Sequence, residues 1–144
     1  MKRSQAQTTP RDWCWPAFVM LVIFVASSQS QVAGPSIPNF DKVAHFFAYG
    51  LLGTLWARVP SVQRSKPLGI WLAVLLASAY GVSDEFHQSF TPGRSVDFFD
   101  WLSDTCGAAL AVWVYRFWSG YRRFLEAPLR GNVRIDLPAD GTPD

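Results

Sequence analysis

Cysteine is scarce in this chain: Cys14 and Cys106 are the whole complement, and they form no Cys-x-x-Cys pair. A thiol zinc site and a thiol redox motif both need closely spaced sulfurs, so neither is supported. Strand-type alternation of apolar and polar residues is absent, and so is any internal repeat. A phosphate-binding loop and a nucleophile motif are missing as well, which leaves an enzymatic reading without a motif of its own.

What the chain has in abundance is apolar surface in blocks. Its 144 residues suit one domain, with 49% of them hydrophobic, including seven Trp and eleven Phe. Four blocks stand out, from Trp13 to Ala26, Val43 to Ala57, Leu68 to Val82 and Cys106 to Trp118. Each apolar run is shorter than the roughly 20 residues a membrane span needs, and flanking polar turns bring it to that length. A soluble helical bundle is the competing reading of these lengths.

Charge placement favours the membrane. Lys2, Arg3, Arg11, Arg58, Arg64, Lys66, Arg116, Arg122, Arg123, Arg130 and Arg134 fall on one side of an up-down-up-down arrangement. Only Lys42 and Arg94 fall on the other, so the positive-inside rule puts both termini in the cytoplasm. Trp13, Trp15, Trp56, Trp71 and Trp118 lie near the inner boundary, as an aromatic belt does. The sequence thus predicts an all-α integral membrane bundle of four transmembrane helices, multi-pass in a cell membrane. Residues 1–12 form a cytoplasmic lead, 13–118 the transmembrane domain, and 119–144 a basic, then disordered, cytoplasmic tail. An outer loop spans Ser27 to Phe40, around Gly34-Pro35 and Pro38.

Lys2-Arg3, the first apolar run and Ala26-Ser27-Ser28 also match a secretory signal peptide, a rival reading that leaves the later helices in the same orientation. Cys14 at the inner end of helix one and Cys106 in the outer third of helix four are too far apart in depth to bridge, and both are expected to pack as small apolar residues. Gly50 and Gly53, the pair Ala77 and Gly81, and the pair Gly107 and Ala111 predict close helix contacts.

Polar residues converge at the outer end. Asp41 and His45, four apart, share a face that Tyr49 continues one turn deeper. Asp84, Glu85, His87 and Gln88 end the third helix, with Asp84 and Gln88 on one face and Glu85 turned off it towards water. Arg94 precedes the fourth helix, on which Asp97, Asp100 and Asp104 follow spacings of three and four. Such a cluster can support acid–base work, the candidates being His45, Asp84, Glu85, His87 and Asp100. It can equally bind a ligand through Asp41, His45, Gln88, Arg94, Asp100 and Asp104, or ligate a divalent cation, or serve as a structural network. Six acids against Lys42 and Arg94 favour a cation, a proton or a protonated acid over an unaided anion. Asp41 and Asp97 also suit helix N-terminal capping, and the two histidines suit interhelical hydrogen bonds. Asp100 and Asp104, deeper in an apolar helix, call for an ion pair with Arg94 or a histidine.

The segment Asp41-Lys42-Val43-Ala44-His45-Phe46-Phe47-Ala48-Tyr49-Gly50 resembles the first motif of the VanZ-like membrane proteins. Asp84-Glu85-Phe86-His87-Gln88-Ser89-Phe90-Thr91-Pro92-Gly93-Arg94 resembles the second, and Asp97, Asp100, Asp104 and Gly107 fall where the family's next helix carries acidic or amide residues and glycine. Asp104 is an acid where the family often has an amide. The resemblance, over roughly residues 38–115, implies a small helical membrane protein of a family named after a member associated with low-level teicoplanin resistance. It supplies no reaction, metal or cofactor. The lipid bilayer is the expected partner, with an envelope lipid or wall precursor as ligand, and no nucleic-acid partner is expected.

Overall fold

The structure, a computed structural model, describes residues 8–30 and 40–126. Four long helices carry the fold: α1 (Pro10–Ser27), α2 (Phe40–Arg58), α4 (Leu72–Gln88) and α5 (Phe98–Phe117). Between α2 and α4 lie α3 (Pro60–Arg64) and a 3-10 turn (Gly69–Trp71), and α6 (Ser119–Glu126) follows α5. No strand occurs among the described residues, so the all-α class and the four long helices stand as expected.

The helices alternate in direction. Trp13 at the start of α1 meets Trp56 at the end of α2, with ring centroids 5.5 Å apart. Ser27 at the end of α1 meets Asp84 near the end of α4, and Lys42 at the start of α2 meets Asp97 and Asp100 at the start of α5. One end of the bundle therefore gathers the acids, and the opposite end the arginines that close α2, α3 and α5.

The closest seam runs between α2 and α5. A methyl group added at Gly53 would stand 3.1 Å from Ala108, and one at Gly50 3.3 Å from the Gly107 carbonyl oxygen. At Gly107 it would overlap the Phe46 carbonyl, so only a glycine lets the two backbones come this near. Fully buried Tyr49, Leu52, Ala77 and Ala108 fill the middle, and Ala57, Val59, Ala73 and Val112 fill the basic end. Small residues dominate this interior, and large ones such as Phe18, Phe47, Leu51, Leu75, Phe86 and Trp113 face outward.

Among the described residues, no helix is long and apolar enough to cross a membrane. Polar side chains within the helices account for part of this: Asp41, Lys42 and His45 in α2, Ser83 to Gln88 in α4, Asp100 and Asp104 in α5. Two further expectations change. Cys14 and Cys106 are free as expected, yet both are exposed on outward faces of their helices rather than packed between helices. The basic stretch that precedes the part expected to be disordered forms α6, an element not anticipated, because Tyr121 and Leu125, four apart, turn back onto the core beside Tyr115. The remainder, 127–144, lies outside the described residues, as does most of the expected loop around Gly34-Pro35 and Pro38.

Candidate functional site

The acidic end is built in two tiers. At the rim, Asp97 caps α5: its Oδ1 accepts the Phe99 amide at 2.8 Å, satisfying one of the donors a helix start leaves open. Its Oδ2 accepts from Lys42 Nζ at 2.6 Å, and the same ammonium donates to Asp100 Oδ1 at 2.6 Å. The Lys42 hydrogen bond, with the Phe99 amide behind it, holds the Asp97 carboxyl below its ordinary range. Asp100 is buried and Asp97 half-buried, and a single ammonium bridges the two carboxylates at the start of α5.

One turn deeper, His45 Nδ1 lies 3.0 Å from Asp104 Oδ1, and the Asp104 side chain is completely buried. Gly81 opposite makes this possible, since a methyl there would stand 3.0 Å from Asp104 Oδ2. Tyr49 stacks parallel to the His45 ring at 6.1 Å, continuing the α2 face inward. On α4, Asp84 Oδ2 accepts from Ser27 of α1 at 2.9 Å and from Gln88 at 3.1 Å. Glu85 Oε2 accepts the Asp97 backbone amide at 2.8 Å, which pins the turn between α4 and α5 over the last turn of α4.

Several buried oxygens in this group are left over. Glu85 Oε1 and Asp104 Oδ2 make no hydrogen bond among the described residues. Asp84 Oδ1 and the Tyr49 hydroxyl lie near each other without a well-formed bond. Buried acceptors are ordinarily paired, so a cluster of spare ones at the end of three helices sets this end apart from the rest of the bundle. Among the described residues, no group of three or more His, Cys, Asp and Glu has an arrangement suited to a metal ion.

The structure brings together His45, Asp84, Glu85, Gln88, Asp100 and Asp104 at this end of the bundle. Glu85 corrects its sequence expectation: the turn after α4 folds back and covers it, leaving it 5% exposed. His87 faces α1, stacked on Phe24 at 4.3 Å, and its Nδ1 has no hydrogen-bond partner among the described residues. Arg94 is not the partner of Asp100 or Asp104; its Nε donates to the Gln29 carbonyl at 3.3 Å. Asp41 is exposed in the first turn of α2.

Sequence reasoning counted Lys42 in the charge of this end without giving it a partner, and missed Ser27 altogether. Lys42 carried a signal, because it precedes His45 by three residues and so shares its helix face. Ser27 carried none, since its bond to Asp84 depends on how α1 is rotated against α4. That bond, with the 2.6 Å bond from the Tyr80 hydroxyl to the Met20 carbonyl, ties α1 into the bundle.

Comparison with known proteins agrees with the motifs. An uncharacterized protein of Schizosaccharomyces pombe is 33% identical over 96 residues, 66% of this chain. The matched region spans 57% of that relative's length. No solved structure matches. A sequence model of the VanZ/LLP1 family matches residues 2–119, and the chain belongs to that family.

Proposed function

We propose that this VanZ/LLP1-family chain is a multi-pass membrane protein whose acidic end holds the headgroup of an envelope lipid. The membrane part rests on an inverted distribution of side chains. Asp84, Glu85, Gln88, Asp100 and Asp104 are at most 6% exposed, while Phe47, Phe86 and Phe90 are each at least 67% exposed. In water the arrangement is costly on both counts; in lipid the apolar shell is solvated and the polar residues face inward. The basic residues gathered at the other end support a cytoplasmic position for that end and an outer one for the acidic end.

The observation that carries the ligand class is the pair of spare buried carboxylate oxygens, Glu85 Oε1 and Asp104 Oδ2. Acceptors without donors select a headgroup bearing N–H or O–H groups, such as an ammonium or a polyol. The apolar shell around this end, with Phe47, Phe86 and Phe90 exposed, supports a lipid rather than a wall precursor as the ligand. Teicoplanin resistance then becomes a secondary effect of altering the envelope's outer surface.

The test compares phosphatidylethanolamine, whose ammonium donates hydrogen bonds, with phosphatidylcholine, whose quaternary nitrogen does not. Full-length protein in nanodiscs of both lipids is released and its retained lipid weighed by native mass spectrometry. The wild type retains phosphatidylethanolamine about tenfold better, the value of one charged hydrogen bond, and Glu85→Gln loses that preference. Equal retention of both lipids by the wild type sinks the binding role.

A second reading rests on the His45–Asp104 pair. With Asp104 accepting from Nδ1–H, the His45 Nε2 lone pair is a base, and the ring is 14% exposed. Under that reading His45→Gln abolishes conversion of the bound lipid while retaining it; if His45→Gln and Glu85→Gln only weaken retention in step, binding alone is the function.

A further inference from the structure

The opposite end of the bundle contains a second candidate site with the reverse charge. Where α5 ends, Trp118 adopts an extended conformation and the chain doubles back as α6. Two bonds fix the return: Tyr115 donates its hydroxyl to Glu126 Oε1 at 2.5 Å, and Arg58 Nη2 donates to the Leu125 carbonyl at 3.1 Å. Tyr121 and Leu125 pack on the core, while Phe124 is 79% and Trp118 64% exposed. A short helix with outward aromatics, inward apolar anchors and arginines between them has the make-up of a segment that lies in a membrane interface.

Between this helix and the bundle is a cavity of about 610 Å³, lined by Gln63, Gly69, Ile70, Tyr115, Arg116, Arg122 and Glu126. Tyr115 engages Glu126, and neither Arg116 nor Arg122 has a carboxylate within ion-pair distance among the described residues. Two guanidiniums and an amide thus line one hollow at the level where the flanking aromatics meet a headgroup layer. Guanidinium groups match phosphate oxygens through paired hydrogen bonds.

We propose that this cavity binds the phosphate of an anionic phospholipid from the cytoplasmic leaflet, with α6 lying on that leaflet as its outer wall. Charge complementarity names the occupant. Among the described residues this end carries Arg11, Arg58, Arg64, Lys66, Arg116, Arg122 and Arg123 against Asp12 and Glu126. A neutral lipid gives the two arginines of the cavity no net charge to answer, and an anionic one does. The proposal rests on the membrane placement of the chain, though not on any ligand at the acidic end.

The experiment uses the full chain in nanodiscs of equal phosphatidylglycerol and phosphatidylcholine, with retained lipid read by native mass spectrometry. Wild-type protein is expected to keep phosphatidylglycerol about tenfold better than phosphatidylcholine, and the double variant Arg116→Gln/Arg122→Gln to lose that preference. Arg123→Gln, which does not line the cavity, keeps it. A preference that falls as far in Arg123→Gln as in the double variant overturns the cavity in favour of diffuse attraction. A wild type that inserts but keeps both lipids equally also overturns it, and a chain that fails to insert overturns the membrane placement itself. In lipid-free micelles, inorganic phosphate is expected to leave thermal stability unchanged; stabilisation by phosphate without phosphatidylglycerol retention assigns the cavity to a soluble anion and overturns the lipid.

Discussion

At the acidic end, Asp84, Glu85, Asp100 and Asp104 are buried and bonded to neighbouring helices or to the adjoining turn, whereas at the basic end Arg58, Arg116, Arg122 and Arg123 are exposed. A carboxylate stem is too short to reach water from inside a bundle, so a buried Asp must find its partner on the next helix. An arginine has a stem long enough to lay its carbons on the protein and hold its charge outside. Three of the acid contacts, Lys42–Asp100, His45–Asp104 and Ser27–Asp84, each join different helices. The acidic end consequently fixes how the helices are rotated against each other, and the basic end is left available to surroundings.

The largest effect that would break this contrast is removal of Asp104. Deleting one member of a buried pair leaves the other unsatisfied, so Asp104→Ala is expected to cost about 3–5 kcal/mol of stability. Arg122→Gln, its counterpart at the other end, should cost less than about 0.5 kcal/mol, because exposed substitutions away from packed features rarely cost more. Thermal unfolding of the two variants in the same detergent compares them directly. Similar losses would mean that the two ends share the work of holding the bundle together.

Lys42 lies between these extremes. Its side chain is 25% exposed, and its ammonium serves one half-buried and one buried carboxylate. Lys42→Met keeps the stem and removes the charge, so Asp100 loses its partner at a depth where water is scarce. A loss of about 2 kcal/mol is expected, between the values for exposed and buried pairs. Restoration of stability in the double variant Lys42→Met/Asp100→Leu would show that the penalty comes from the stranded acid.

The helical class and the glycine seam were legible in the sequence because they depend on local pattern. Gly50, Gly53 and Gly107 announce a close approach whatever helix they meet, and α2 and α5 do meet there. The acid cluster was legible as a place, since alternating helices bring Asp41, Gln88 and Asp97 to one end. Its pairing was not. Arg94 precedes Asp100 by six residues, yet the Thr91-Pro92-Gly93 turn carries it towards Gln29, while Lys42 arrives on α2 with the reach to span two acids. His87 lies one residue from Gln88 but a different helix face turns it onto Phe24. Such choices depend on the rotation of whole helices, which spacing within one helix does not determine. The order of α6 was hidden for another reason: eight residues rich in arginine look like tail until the core face of Tyr115 is there to receive them.

The smallest effect separates charge from geometry at the rim. The Asp97 carboxyl is held below its ordinary value of 3.8 by Lys42 first and the Phe99 amide second. A depressed carboxyl pKa contributes stability that is complete above the unfolded value and is lost as pH falls through the folded one. The loss attributable to Asp97 therefore falls at pH values under 3.8, with its half-exposed position keeping it small. Asp97→Asn retains an N-cap oxygen for Phe99 and the backbone amide that Glu85 accepts, so it removes only the charge facing Lys42. The difference in melting temperature between wild type and Asp97→Asn should be constant from pH 7 to pH 5 and narrow towards pH 3. If the difference holds unchanged to pH 3, Asp97 acts through the cap alone, and Lys42 belongs to Asp100.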